Sequence, residues 1–462
     1  MTGPRVVVVG GGISGLATTF RLRTLRPDRP PEVVLLESGD RPGGKIRTDT
    51  DGGCVRERGP NGFLDNVPET LDLVRDLGLE GRLRRASGKA ANRYLFHGGG
   101  LWKIPGSPSE FLWSRLLPFS AKLRILFEPF AKGPPGGDES VFDFARRRIG
   151  EAPARLLVDA MVAGVFAGNA RELSLRSAFP TMHAMEREHG SLIRAMIAKR
   201  RAAKKTGKGA GSAFGPGGTL TTFDGGMQVL TDALATALGH AVRTGKRAME
   251  VRREGDRWLV QAADGERFPC DAVVSAAPAP DAAFLLGRGE PRFREVLSAI
   301  PVAPVVVATL RYPEAAAPKA KAGFGFLVPS GEDSRLLGVL WDSSVFEGRA
   351  PAGEILLRAM LGGARDPDVI ELTDDELLLL VRSELKRTMG VEADPIESRL
   401  YRWHQGIPQY TLGHEDRLAR LEEIRGAHPG LHLTGNSYRG VSANLCVRDG
   451  LRTAQSVLEV AP

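Results

Sequence analysis

The chain has 462 residues, 42% hydrophobic and 26% charged, with a formal net charge of +8; this is enough for two or three domains around a sizeable core. Its three cysteines, Cys54, Cys270 and Cys446, lie far apart and its eight histidines form no evident ligand set, which argues against a disulfide framework, a redox dithiol and a bound metal, and fits a reducing compartment. No apolar run reaches the length of a membrane-spanning helix, and no segment has the form of a signal peptide.

The first 45 residues carry the clearest pattern. Arg5 to Val9 is a short apolar run that predicts a strand. It breaks into Gly10-Gly11-Gly12-Ile13-Ser14-Gly15, and a helix is expected from Leu16 to Leu25. A second strand, Glu32 to Leu36, ends on Glu37-Ser38. Strand, glycine turn, helix, strand and acid occur here in the order of a dinucleotide-binding unit. Gly10 permits the tight turn, Gly12 lets backbone approach a pyrophosphate, Gly15 lets helix and strand pack closely, and Glu37 accepts from ribose hydroxyls. The helix start turns free N–H groups and a positive dipole end toward the phosphates. A second glycine pair, Gly43-Gly44, ahead of Lys45, follows the acid and lets another stretch of backbone approach the cofactor; with Arg41 it resembles the extension found in flavoproteins of the amine oxidase and glutathione reductase type, and that resemblance favours FAD over NAD. Gly59-Pro60-Asn61-Gly62 is a further tight segment with little side chain.

Further along, helices are expected at Ser140 to Arg148, Pro153 to Gly164 and Leu192 to Lys205, and Gly207 to Gly218 reads as a mobile glycine-rich loop. A helix from Gln228 to Leu238 precedes strands at Ala248 to Arg252, Trp258 to Ala262 and Asp271 to Ser275. A second sheet is expected from Val302 to Tyr312, Gly323 to Val328, Leu336 to Trp341 and Ile355 to Leu361, followed by a helix from Asp374 to Met389. A strand at Leu431 to Thr434 leads through Gly435-Asn436-Ser437-Tyr438-Arg439-Gly440-Val441 into a helix from Ser442 to Val457, with Ala443, Leu445, Val447, Leu451 and Ala454 mostly at helical spacing. A glycine-rich turn opening a helix aims N–H groups at an anion, and reduced flavin is anionic near N1 and O2.

Charge is uneven. Arg194 to Lys208 is basic without an acid, and Arg146-Arg147-Arg148 adds to it. No nucleic-acid motif accompanies it, so no nucleic-acid partner is expected. Two readings stay open: a solvated helix face, and an anionic membrane surface met together with the apolar run Phe111 to Phe119.

Several segments carry a resemblance to a known family. They are Gly10 to Gly15 with Glu37-Ser38, Gly59 to Gly62, Asn92-Arg93-Tyr94-Leu95-Phe96 and Gly164 to Ser174. Further ones are Gly323 to Pro329, Met360-Leu361-Gly362-Gly363, Ile407 to His414, and Gly435 to Val441 with Cys446. In these, over nearly its whole length, the chain resembles the protoporphyrinogen oxidase family of monoamine oxidase-like flavoproteins. The resemblance implies an α/β multidomain fold in three parts. A Rossmann-like FAD-binding domain would be built from separated segments (1–85, 226–300 and 415–462). A substrate domain with a mixed sheet would take 86–94, 212–225 and 301–414, and a helical membrane-binding domain 95–211. It also implies peripheral attachment to the inner face of the cytoplasmic membrane, often as a homodimer, which favours the membrane reading of the basic and apolar segments.

The reaction so implied is the penultimate step of haem synthesis, the six-electron oxidation of protoporphyrinogen IX to protoporphyrin IX with three O2 giving three H2O2. The cofactor-binding residues expected by the resemblance are Gly10, Gly11, Gly12, Ile13, Ser14, Gly15, Glu37, Ser38, Gly43, Gly44, Lys45, Gly59, Pro60, Asn61, Gly62, Ala248, Trp403, Asn436, Val441, Ser442 and Ala443. No cysteine occurs in Gly435 to Tyr438, so FAD is expected to be non-covalent. Arg93 is the candidate partner of a substrate propionate, since a guanidinium holds a carboxylate bidentately. Leu327, Leu340 and Met360 are candidates to sandwich the pyrrole rings, and Gly164 to leave room for the macrocycle. Asn61 is the candidate catalytic residue, orienting a proton-transfer step; no other acid, base or nucleophile stands out, as expected of hydride transfer governed by positioning. The alternative substrate is coproporphyrinogen III, whose four carboxylates demand more cations around the pocket. The GDP-dissociation inhibitors, which share the architecture without flavin, lack the complete set of flavin-facing segments.

Overall fold

The computed structural model describes residues 3–26, 28–205 and 217–460. The glycine-rich stretch from 207 to 216 and the last residue of the basic run, Lys208, lie outside the described residues.

The four valines of the opening strand Arg5–Val9 are buried because the strand sits in the middle of a parallel sheet, which is covered on both faces. The five strands run in the order Val242–Arg243, Glu32–Leu36, Arg5–Val9, Ala272–Ser275 and Leu431–Leu433, every neighbouring pair parallel. Val6 and Val8 face a core shared with helices Ile13–Thr24, Gln228–Leu238 and Ala443–Val460. Val7 and Val9 face a second core under the antiparallel strands Ala248–Glu254, Arg257–Ala262 and Arg267–Cys270 and helices Ala279–Leu286 and Pro291–Ser298.

A seven-stranded mixed sheet has the order Glu397–Pro408, Val302–Pro313, Glu354–Gly362, Leu336–Trp341, Gly325–Leu327, Arg93–His97 and Gly100–Lys103. All its pairs are antiparallel except Gly325–Leu327 with Arg93–His97. One face packs on helix Asp374–Met389 through Val306, Ala308, Leu310, Val339, Leu357, Ala359 and their neighbours. The other face meets helix Asp159–Phe166 at Ala163, with Val305, Val307, Met360 and Trp403 alongside.

The expected strands and helices are present with ends shifted by a few residues. One helix differs in kind: the run expected from Pro153 to Gly164 is Glu151–Pro153, a π turn over Ala154–Val158, and Asp159–Phe166. The widened turn follows Pro153, which lacks an N–H. Among the strands outside the expected set, Arg93–His97, Gly100–Lys103 and Glu397–Pro408 belong to the seven-stranded sheet and carry no alternating apolar signal. The last lies at the sheet edge and is mostly half-buried, so charged and aromatic residues alternate where a central strand would be valine-rich.

Helices Pro108–Trp113 and Phe119–Leu126 leave large apolar side chains in the open. Leu112, Trp113, Phe119, Leu126, Phe127 and Phe130 are all more than half exposed. Among the described residues no helix is long and apolar enough to cross a membrane.

Candidate functional site

Residues 10–15 form a closed turn between the opening strand and the first helix. Gly10 donates to the Leu36 carbonyl at 2.8 Å. A Cβ on Gly15 would stand 1.9 Å from the Gly10 carbonyl oxygen, so only glycine lets the helix start this close to the strand. A Cβ on Gly12 would meet nothing within 4 Å. That open space faces the first turn of Ile13–Thr24, whose N–H groups have no side-chain cap, and suits a pyrophosphate. Ile13 packs against the core behind the turn and Ser14 is buried beside Cys446.

Glu37, half-buried at the end of the second strand, accepts Gly11 N–H at 2.8 Å through one oxygen and Gly39 N–H at 2.7 Å through the other, with the exposed Ser38 hydroxyl at 3.3 Å. Lys246 N–H donates to the Glu37 carbonyl, which brings Ala248, two residues on, to the same edge. Gly43 donates to Gly11 at 2.8 Å with φ +119°, and a Cβ on Gly44 would lie 3.0 Å from the Gly12 Cα. The second glycine pair therefore packs backbone to backbone on the first loop as well as bordering the cofactor space. Lys45 follows; burial lowers its pKa to about 8, with Cys446 and Asp281 pulling the other way.

The strap from Glu57 to Gly62 crosses against Lys45: a Cβ on Gly59 would be 2.2 Å from the Lys45 carbonyl oxygen. The strap is pinned from several sides. Glu57 is buried and accepts from Met227 N–H, the Thr48 hydroxyl and the Arg349 guanidinium at 2.7–2.9 Å. Trp403 Nε1 donates to the Arg58 carbonyl at 2.8 Å, and Arg358 donates to the Gly59 carbonyl at 2.8 Å. Beyond Pro60, the buried Asn61 amide nitrogen has no hydrogen-bond partner among the described residues, and Gly62 packs on Thr221. A buried amide without a partner costs free energy unless a ligand satisfies it.

At the C-terminal end, Thr434 Oγ1 and Gly435 N–H both bond the Asp449 carboxylate, and the Asn436 carbonyl accepts from the Tyr410 hydroxyl at 2.5 Å. Val441 packs with the cluster around Phe166 and Tyr410. Ser442 accepts Leu445 N–H through its hydroxyl at 3.3 Å and so caps helix Ala443–Val460. Asn444 Nδ2 bonds the Leu64 carbonyl, tying this helix start to the end of the strap. Open space at Gly12, the uncapped helix start, the carboxylate of Glu37 and the orphaned Asn61 amide together fit a bound dinucleotide flavin.

The register of the seven-stranded sheet gathers the expected substrate residues. Arg93, Gly325 and Leu340 are cross-strand partners in one row. Leu95, Leu327, Gly338 and Met360 form the next row on the same face, two residues further along each strand. Trp403 lies on this face as well, opposite Val305. The exposed Arg93 guanidinium sits 5.1 Å from the Phe324 ring and has no carboxylate partner among the described residues. Leu327 and Met360 are half-buried and Leu340 is buried. Gly164 is exposed, but a Cβ there would lie 2.8 Å from Leu327 Cδ2, so the space directly beside it is occupied by Leu327.

Three residues of the site were not assigned roles from sequence. Arg358 interrupts the apolar strand Glu354–Gly362, and a lone charge in such a run is the signal that would have found it. It is buried, reaches the Gly59 carbonyl and has the Asp342 carboxylate at 3.4 Å. Tyr410 and His414 lie within the Ile407 to His414 segment, and their function rests on contacts with distant backbone that spacing does not reveal.

Residues 13–458 match the family of flavin-containing amine oxidoreductases. The chain is 36% identical to human protoporphyrinogen oxidase, covering 100% of this chain and 99% of that one. It is 31% identical to the coproporphyrinogen III oxidase of Bacillus subtilis (strain 168), covering 98% and 97%. A crystal structure of a provisionally assigned protoporphyrinogen oxidase from Exiguobacterium sp. 255-15 superposes with a TM-score of 0.84 at 25% identity, covering 99% of this chain and 100% of that one. The chain belongs to the flavin-containing amine oxidoreductase family and is an FAD-dependent oxidoreductase.

Proposed function

We propose that this enzyme is an oxygen-dependent porphyrinogen oxidase that converts protoporphyrinogen IX to protoporphyrin IX, releasing six electrons and six protons to three O2 to give three H2O2. The observation that carries the reading is the sheet face on which Arg93, without a carboxylate partner among the described residues, borders an apolar wall of Leu327, Leu340 and Met360, in a sheet whose Arg358 holds the strap that carries Asn61. A cation at the edge of an apolar surface suits a large apolar macrocycle with carboxylate tails.

Bound FAD supplies the two-electron acceptor chemistry. The protein residues do the rest. Gly10 to Gly15, Glu37 and the helix starts at Ile13 and Ala443 hold the dinucleotide without a covalent link. The strap and Trp403 fix the side on which substrate lies, and Asn61 offers its amide to a substrate or cofactor acceptor. Arg93 anchors a propionate so that a ring carbon faces the acceptor, a gain from orientation rather than from acid or base strength. On this reading the parallel sheet belongs to the FAD-binding part and the seven-stranded sheet to the substrate-binding part. The exposed apolar cluster at Leu112 to Phe130 rests on an anionic membrane surface, from which an apolar substrate enters.

The second reading is coproporphyrinogen III as substrate, favoured by the likeness to the Bacillus subtilis enzyme. Porphyrin fluorescence in aerobic detergent buffer, with the two porphyrinogens compared at equal concentration, separates them. Faster protoporphyrin formation supports the proposal; preference for the four-carboxylate substrate moves the enzyme to the second reading; no porphyrin from either defeats both.

A further inference from the structure

The loop from Thr434 to Ser442, which opens the C-terminal helix at the proposed flavin site, contains two glycines, Gly435 and Gly440. Asp449 anchors its first two residues. Ser437 Oγ accepts Ala279 N–H at 3.0 Å and Arg439 donates to Glu422 at 2.9 Å, and two further side chains, Tyr410 and His414, hold the loop through its backbone groups. The Tyr410 hydroxyl donates to the Asn436 carbonyl at 2.5 Å and accepts Gly440 N–H at 2.7 Å, closing the segment between them into a staple. The His414 ring stacks on Tyr410 with centroids 4.2 Å apart and planes 17° apart, and its Nε2 lies 3.0 Å from the Tyr438 carbonyl. That contact to a carbonyl requires Nε2–H, and burial, which lowers the ring's pKa to about 4, keeps Nδ1 unprotonated at neutral pH.

Both residues are buried, and they are held from the substrate side. Ser174 N–H donates to the Tyr410 carbonyl at 2.8 Å. Gln409 Nε2 donates to the Phe166 carbonyl at 2.8 Å, and the Phe166 ring meets the Tyr410 ring edge-on at 5.9 Å. Phe166 is two residues from Gly164, which touches Leu327. A chain of direct contacts thus runs from the proposed macrocycle wall to the flavin loop.

We propose that Tyr410, backed by His414, is a positioning residue for FAD: its hydroxyl fixes the loop of residues 436–440 so that the start of the C-terminal helix presents its N–H groups to the cofactor. The inference rests on the placement of that loop at the flavin and not on the identity of the porphyrinogen.

Tyr410→Phe removes one oxygen and keeps the ring stacking. Two backbone groups, Asn436 C=O and Gly440 N–H, lose their buried partner, and the loop relaxes to recover them. The expected result is FAD release from the holoenzyme increased by about ten-fold or more, from the cost of buried groups left unpaired. A lowered flavin reduction potential is also expected, because the reduced anion loses aligned N–H donors. A merely structural role would lower the thermal midpoint while leaving FAD affinity and potential as in wild type; that result overturns the inference. If Tyr410→Phe does not fold, His414→Gln, which keeps a donor for Tyr438 but removes the stacked ring, must show the same increase in FAD release. Failure to do so overturns the inference as well. Wild-type protein that binds FAD but oxidises neither porphyrinogen would defeat the proposed substrate and leave this test intact.

Discussion

Gly12→Ala isolates the cofactor cradle from the fold. Gly12 has φ −69° and ψ 177°, a conformation alanine adopts without strain, and its added Cβ meets no protein atom within 4 Å. The protein itself loses at most about 1 kcal/mol, the preference for glycine over alanine at a helix N-cap. A pyrophosphate bonded to the first-turn amides occupies the volume of the new methyl. Displacing it costs about 1–3 kcal/mol by the usual penalty for overpacking, which is roughly 5- to 150-fold in FAD affinity. FAD titration and the thermal midpoint of the unloaded protein, measured side by side, provide the assay. Affinity should fall with little change in midpoint. Gly15→Ala is the control that should behave oppositely: its Cβ lies 1.9 Å from a backbone oxygen that cannot rotate away, so the strand–helix turn itself is disrupted. Unchanged FAD affinity in Gly12→Ala would refute the passage of the pyrophosphate over Gly12.

Arg93→Ala should raise KM for porphyrinogen by roughly ten- to a hundred-fold, the loss of a charge-assisted hydrogen bond of about 1.5–3 kcal/mol, with FAD retained; steady-state kinetics with an unchanged KM would remove Arg93 from the site. His414 and His432 are buried, and burial lowers each pKa to about 4 from the ordinary 6.5. Between those values the unfolded chain binds the protons and the folded chain does not. Their neutral burial is therefore fully tolerated above pH 6.5, and stability falls as pH drops toward 4, by up to roughly 3 kcal/mol per histidine. Denaturant midpoints across that range should fall with pH, and a flat profile would contradict the burial of neutral imidazoles. Replacing Trp113, Phe119 and Phe130 together by Ser should weaken co-sedimentation with anionic vesicles while leaving detergent-assayed turnover intact, since all three side chains are exposed; undiminished vesicle binding would place the contact elsewhere.

What was legible in the sequence had local causes. The helix Asp374–Met389 was expected to its last residue, because a capping box at Thr373 and Glu376 starts it and Gly390 in the left-handed region stops it. Leu336–Trp341 was equally clear, being apolar and central in its sheet. The glycine loop and Glu37 were readable because a dinucleotide site is built from consecutive backbone. The edge strand Glu397–Pro408 was not, because its side chains answer to tertiary neighbours: Trp403 to the Arg58 carbonyl, Tyr401 to Asp49, Arg402 to the carbonyls of Ile370 and Leu372. Gly164 illustrates a partial reading. Its need for a small residue is real, yet the atoms it accommodates in the structure are those of Leu327. The roles of Arg358 and Tyr410 depend on carbonyls about 300 and 26 residues away, respectively, and no local pattern encodes such a distance.

The most direct test of the account is a single anaerobic turnover. Purified enzyme with its bound FAD oxidised is mixed with protoporphyrinogen IX in the absence of O2, and the visible flavin absorbance is followed. The account predicts that the flavin bleaches at a rate compatible with steady-state turnover, taking two of the six electrons without forming porphyrin, and that on admitting air its colour returns and porphyrin fluorescence grows as the further two-electron cycles proceed. Flavin that stays oxidised in the presence of both protoporphyrinogen IX and coproporphyrinogen III would contradict the assignment of this site to porphyrinogen oxidation.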